Sequence, residues 1–104
     1  MSRKIITAAV VAAGLGVGAG FAHADADLAK AKNCTACHAV DKKLIGPAFK
    51  AVAAKYKADK GAATDLAKKV RAGGSGVWGQ IPMPANPQVN QGEAEALVKW
   101  ILSM

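Results

Sequence analysis

The sequence predicts an all-α domain, and three observations support this fold class. After residue 25, no segment shows the apolar and polar alternation, or the run of β-branched residues, that marks a strand. Apolar residues recur instead at the three- and four-residue spacing of helices. Glycine- and proline-rich segments, above all residues 73–90, separate these stretches. We therefore expect about four short helices.

Residues 1–24 have the pattern of a secretory signal peptide. A basic start with Arg3 and Lys4 precedes an apolar, glycine-rich stretch and the small-residue site "AHA" at 22–24. The alternative is an uncleaved membrane anchor, but the apolar run is shorter than about 20 residues and contains four glycines. We expect cleavage after Ala24, export to the periplasm, no membrane anchor and one mature domain, residues 25–104.

The mature chain would be small and basic. Without Arg3 and Lys4, 12 of the 14 basic residues remain against 7 acidic ones, a formal charge of +5. A chain of this size gains only about 3 to 5 kcal/mol from its hydrophobic core, so a staple or a prosthetic group is expected. The charge favours acidic partners. Export and the lack of a basic patch with interleaved aromatic residues argue against nucleic acid.

The first two helices differ in the strength of their signals. Asp25 or Asp27 can cap a short first helix that carries Leu28. A second helix follows the loop at Gly46 and Pro47, where apolar residues fall at i, i+3, i+4 and i+7. These positions are Phe49, Val52, Ala53 and Tyr56.

The last two helices have clearer ends. Thr64 is expected to cap the third helix, and Gly73 and Gly74 to end it. Asn90 and Glu93 form a capping-type pair at the start of the fourth helix. The apolar faces are Ala63, Leu66, Ala67 and Val70 in the third helix, and Ala94, Leu97, Val98, Ile101 and Leu102 in the fourth.

The chemistry of the sequence is concentrated in "CTACH", residues 34–38, which holds both cysteines and a histidine. A disulfide between Cys34 and Cys37 would constrain the unfolded chain little. Structural zinc needs four ligands, and the mature chain has only these two cysteines and His38. A thioredoxin-like pair follows a strand, and no strand is predicted before Cys34.

Covalent haem attachment accounts for the whole motif, because C-x-x-C-H is its signature. Thiols at i and i+3 on one turn point the same way and can form thioethers with the two vinyl groups of one porphyrin. The imidazole of His38 then lies beneath the iron. We therefore expect one covalent haem c.

A haem iron that only transfers electrons also needs a second axial ligand, and a thioether raises its potential. Met83 and the terminal Met104 are the thioethers of the mature chain. Met83 lies between Pro82 and Pro84 in the long loop, and these prolines reduce the cost of ordering it. Methionine is more often a core filler, but the missing ligand and the unexplained loop favour Met83 as the second ligand.

Three segments together resemble the small class I cytochromes c, specifically the bacterial c-551 or c-552 type that carries electrons in the periplasm. These segments are "CTACHAVDKKLIGPAFKAVAAKY", "GVWGQIPMPAN" and "ALVKWILSM". They extend over essentially all of residues 25–104. The resemblance implies the cytochrome c fold, with a few helices around one haem and the first and last helices crossing.

The resemblance also implies further site residues. The Pro47 carbonyl would accept the second ring N–H of His38, and Asn86 would bond near the methionine sulfur. Arg71 and Trp78 match residues that hold a haem propionate. Each has a simpler alternative: Pro47 and Asn86 as turn residues, Arg71 as a solvated base and Trp78 as core.

An iron ligated on both sides by the protein has no open position for substrate, so we expect a monomeric electron shuttle and no enzyme. Lys42, Lys43 and Lys50 are expected to help dock acidic redox proteins. The resemblance suggests nitrite reductase, peroxidase, a terminal oxidase or upstream cytochromes. Two alternatives are a haem enzyme or gas sensor in which Met83 dissociates, and a fixed subunit of a larger complex.

Overall fold

The computed structural model describes residues 17–104, and its secondary structure is helical. Four helices follow in order: α1, Val17–Ala31; α2, Phe49–Tyr56; α3, Ala62–Ala72; and α4, Gln91–Leu102. A single 3-10 turn, Cys34–Ala36, lies between α1 and α2. Within the described residues the only β-type pairing is one isolated bridge between Gly74 and Met83. The predicted all-α class is confirmed.

The predicted signal peptide, residues 1–24, lies largely outside the described residues. The helix α1 extends across the predicted cleavage point after Ala24. In the part of the chain that the structure describes, no helix combines the length and the apolar character needed to cross a bilayer.

One predicted helix cap is wrong, and another was predicted for the chain after cleavage. In the full chain, α1 spans Val17–Ala31, so Asp25 and Asp27 lie within the helix. An aspartate caps only where the backbone before it is non-helical, and the alanines before Asp25 favour continuation of the helix. The helix α3 begins at Ala62, so Thr64 is its third residue.

The start of α3 is set by Asp59, which forms a local turn before the helix. Its Oδ1 accepts a hydrogen bond from the Gly61 N–H at 2.9 Å, and its carbonyl accepts one from Ala62. Asx turns of this kind can fix the backbone ahead of a helix. At the other end Gly73 stops α3 as predicted, with φ 77°, and its N–H donates to the Lys69 carbonyl at 2.7 Å.

The predicted cap of α4 is confirmed as a complete capping box. The Glu93 N–H donates to Asn90 Oδ1 at 2.8 Å, and the Asn90 N–H donates to Glu93 Oε1 at 3.0 Å. Lys32, just after α1, forms an ion pair with Glu93 at 3.3 Å. The cap therefore also ties the end of α1 to the start of α4.

This cap is expected to make stability depend on acid pH. The Asn90 N–H, and then Lys32, hold the pKa of Glu93 below its ordinary value. The stabilisation is therefore present above the ordinary glutamate pKa and is lost as pH falls through the depressed pKa. We expect Glu93→Gln to lower the urea midpoint at neutral pH and to flatten its fall in acid. Glu95→Gln, on the same helix, is the control, and equal pH profiles for the two variants would contradict the prediction.

The hydrophobic core is centred on α4, which packs against α1, α2 and α3. Leu28 of α1 and Trp100 of α4 both pack against the main cluster, and Trp100 meets Phe49 edge-on with centroids 5.5 Å apart. Six of the ten buried apolar residues are alanines. Such a core removes little apolar area from water, so it supports the expectation of a prosthetic group. The ten are Ala29, Ala48, Phe49, Ala53, Ala62, Ala67, Val89, Ala94, Leu97 and Val98.

Candidate haem site

A cavity of about 570 Å³ lies among α2, α3, α4, the loop before α2 and the loop between α3 and α4. It brings together six of the eight site residues that the sequence predicts. The walls are largely apolar and include Phe49, Leu66 and Leu97. The six predicted residues on its surface are Cys34, Cys37, His38, Pro47, Trp78 and Met83.

The motif residues reach the cavity through a single tight turn. Asn33 has a left-handed backbone with φ 66°, which ends the path of α1 and starts the 3-10 turn. The Cys34 carbonyl then accepts the N–H of both Cys37, at 3.2 Å, and His38, at 3.0 Å. Both thiols are free and half-buried, and burial raises the pKa of Cys34. The turn presents two thiols and an imidazole to the same space.

The imidazole of His38 is fixed by its neighbours. Its Nδ1 lies 2.7 Å from the Pro47 carbonyl oxygen. Because a carbonyl can only accept, Nδ1 is the donor, and in the neutral imidazole Nε2 keeps a free lone pair. Phe49 stacks on the ring with centroids 5.3 Å apart and an interplanar angle of 20°. This tautomer leaves Nε2 available as a metal ligand.

Gly46 packs so closely on this imidazole that it leaves no room for a side chain. A Cβ at position 46 would lie 2.5 Å from His38 Cε1 and 2.8 Å from Nδ1. The Gly46 N–H also donates to the Cys37 carbonyl at 2.8 Å, so its backbone cannot move away freely. The glycine therefore sets the tilt of the ring.

We expect Gly46→Ala to destabilise the protein by about 1–3 kcal/mol, the usual effect of overpacking. Urea unfolding of the holoprotein measures this loss. Gly92→Ala is the matched control, since a Cβ at 92 meets only Asn90 Oδ1, at 3.5 Å, and alanine is the better helix former. Equal stability of Gly46→Ala and wild type would contradict the tight contact.

Met83 is held by the backbone of the long loop. The Gly74 N–H donates to the Met83 carbonyl at 3.0 Å, and the Met83 N–H donates back to Gly74 at 2.8 Å. The loop also presses on the end of α3, where a Cβ at Gly73 would lie 2.6 Å from the Met83 carbonyl oxygen. The flanking prolines, Pro82 and Pro84, have no backbone N–H, so Met83 is the only one of the three residues that can donate a backbone hydrogen bond. The bridge to Gly74 uses this donor and fixes the methionine backbone.

Two of the predicted residues lie away from the cavity surface. The Asn86 side chain donates to the Val70 carbonyl at 2.8 Å and to the Pro84 carbonyl at 3.2 Å. It thereby ties the loop after Met83 to α3. Arg71 lies on a groove between α3 and α4, and its Nε donates to the Val89 carbonyl at 3.3 Å.

Of the basic residues of α3, the one that the structure places on the cavity is Lys69, which the sequence analysis missed. Leu66, Lys69 and Val70 stand at i, i+3 and i+4 and line the cavity together. Arg71 follows Val70 by one residue, a rotation of about 100° around the helix. The helical spacing from Leu66 was therefore the sequence signal that could have shown that Lys69, and not Arg71, faces the cavity.

The donor set fits a covalently attached haem. Two thiols can form thioethers, an imidazole nitrogen and a thioether sulfur can act as axial ligands, and the remaining wall is largely apolar. The cavity volume lies within the range of about 300–1,000 Å³ that is common for ligand sites.

Comparisons with known proteins identify the family of the chain. The family model for cytochrome c matches residues 24–104. The chain is 57% identical over 86 residues to cytochrome c-552 of Nitrosomonas europaea, covering 83% of this chain and 84% of that protein. It is 53% identical over 76 residues to cytochrome c-551 of Pseudomonas aeruginosa, covering 73% and 72%.

A solved structure gives the same result. The fold is similar to the crystal structure of wild-type Nitrosomonas europaea cytochrome c552, with a TM-score of 0.74 and 58% identity. The similarity covers 75% of this chain and 96% of that one.

Proposed function

Because the chain belongs to the cytochrome c family, we propose that it is a periplasmic electron carrier whose haem iron is ligated by His38 and Met83. The family and the two cysteines give one covalently attached haem c, with Cys34 and Cys37 as the thioether residues. The observation that carries the proposal is that one cavity is lined by both thiols, Met83 and the His38 imidazole, whose Nδ1 is hydrogen-bonded to the Pro47 carbonyl.

The bound haem supplies a reversible one-electron change at iron. The protein fixes the ligands so that this change requires little rearrangement: the Pro47 carbonyl orients His38, and the Gly74 bridge holds Met83. With a protein ligand on each side, no position is open for a substrate. This arrangement supports a shuttle over an enzyme or a gas sensor.

The propionate contacts are proposed for Trp78 and Lys69. Trp78 keeps the role that the resemblance gave it, while Lys69 replaces Arg71, because Lys69 lies on the cavity wall. Asn86 is proposed to act mainly through the loop, since its amide donates to the carbonyls of Val70 and Pro84.

The partners are proposed to be redox proteins with acidic docking surfaces. Lys42, Lys43 and Lys50 are all exposed, and the first two lie at the cavity. We expect their combined replacement by glutamate to slow oxidation by ferricyanide, an anionic probe, and to reverse the salt dependence. An unchanged rate would remove these lysines from the docking surface.

The proposed function is tested on the exported, purified holoprotein. A pyridine haemochrome spectrum should report one haem with both vinyl groups converted to thioethers. Carbon monoxide added to the reduced protein should leave the visible spectrum unchanged, because Met83 occupies the sixth position. Stoichiometric carbon monoxide binding at neutral pH would overturn the shuttle and favour the gas-binding alternative.

A further inference from the structure

The segment that carries Trp78 is a loop tip whose large apolar side chains, Val77, Trp78 and Ile81, are exposed. The two hydrogen bonds between Gly74 and Met83 close its base. Within the tip, the Gly76 N–H donates to the Gly79 carbonyl at 2.9 Å, and both glycines have positive φ, 101° and 119°. This turn orders the tip locally but does not attach it to the helices.

A lysine of α2 contacts this tip. Lys55, in the last turn of α2, places its ammonium 5.6 Å from the centroid of the Trp78 ring and 5.9 Å from that of Tyr56. Both distances are within the range of cation–π attraction. Among residues 24–104, whose side chains the structure describes, the only ion pair is Lys32–Glu93, so no aspartate or glutamate of that range pairs with the Lys55 ammonium.

Trp78 connects this contact to the candidate site. Its ring lines the cavity and lies in the same loop as Met83, five residues earlier. An outward motion of the tip would pull on the chain that leads through Pro82 to the methionine. Restraint of the indole by α2 therefore also restrains the segment that leads to Met83, in addition to the Gly74 bridge.

We propose that Lys55 is a positioning residue, whose ammonium holds Trp78 against α2 and so slows the departure of the Met83 sulfur from the iron. The inference rests on the proposed function, because it takes Met83 as the sixth ligand. It assigns to an exposed lysine a role that its charge alone would not suggest. The cation, not the length of the side chain, is the part that acts.

The experiment measures how fast added imidazole displaces Met83 in the oxidised holoprotein, at imidazole concentrations where the rate is limited by loss of the methionine. Lys55→Met keeps the reach of the side chain and removes the charge. We expect it to raise the limiting rate about 2- to 5-fold, the equivalent of a cation–π contact at an exposed site. Lys55→Arg retains a cation over the ring and should react at the wild-type rate.

Two further variants separate this role from a general charge effect. Lys57→Met removes a charge from the same end of α2 and should leave the rate unchanged. In a Trp78→Leu background, Lys55→Met should have no additional effect, because the partner ring is gone. A wild-type rate for Lys55→Met, an Arg variant as fast as the Met variant, or a persisting effect without Trp78 would each overturn the proposal.

Failure of the proposed function gives a different result. If Met83 is not the sixth ligand, the oxidised wild type lacks the sulfur-to-iron charge-transfer band. Imidazole binding then causes no loss of such a band. If only the Lys55 proposal fails, the band and its loss on imidazole binding remain, and the variants share one rate.

Discussion

Replacing Met83 with histidine is expected to lower the midpoint potential by a substantial part of the roughly 0.8 V over which axial ligands set haem potentials. A thioether favours reduced iron more than a second imidazole does. The two backbone bonds to Gly74 keep position 83 in place in the variant, so that the change is confined to the ligand. The loss of the sulfur-to-iron band should accompany the drop in potential.

A redox titration of the exported holoprotein measures this effect. Met104→Leu is the matched control, since Met104 is exposed at the end of the chain. We expect its potential to equal that of wild type. If the Met83 variant keeps the wild-type potential and band, the sixth ligand is another residue.

Removal of the haem is expected to abolish most of the helical structure. Without the haem, the largely apolar wall of the 570 Å³ cavity would be exposed to water, and the burial that the haem supplies would be lost. Small domains have total stabilities of about 5–15 kcal/mol. The buried core, mostly alanine, has little apolar surface with which to offset this loss.

The test is the circular dichroism of a Cys34→Ala, Cys37→Ala variant prepared without haem. We expect its helical signal to fall to a minor fraction of that of the holoprotein. Addition of haem to the same sample is the control, because non-covalent filling of the cavity should restore part of the signal. A haem-free spectrum that superimposes on the holoprotein would show that the polypeptide folds without its cofactor.

The helices that the sequence predicted best are those whose signals are local. Apolar spacing placed α2 over Phe49–Tyr56, and the reciprocal Asn90 and Glu93 pair placed the start of α4. The cap of α3 was wrong, and in the full chain α1 extends past Asp25 and Asp27, because capping depends on where the backbone before the residue leaves the helix. An aspartate or a threonine in the sequence does not by itself show this.

The candidate site divides in the same way. The contiguous motif at 34–38 and the methionine between two prolines could be found from the sequence because each carries its chemistry in a few adjacent residues. The choice between Lys69 and Arg71 depended on helix rotation, which a match of residue type does not show. The Lys55 and Trp78 contact joins residues 23 positions apart through the folding of a loop, and no local pattern indicates it.

The ring contacts around Phe49 connect the C-terminal helix to the imidazole of His38. Phe49 stacks on His38 and meets Trp100 edge-on, while Trp100 itself lies off the cavity wall. A change in ring size at position 100 can therefore shift Phe49 and, through Phe49, the plane of the His38 imidazole. Natural variation in the last helix could in this way retune the electron affinity of the iron while every side chain that touches the cofactor stays the same.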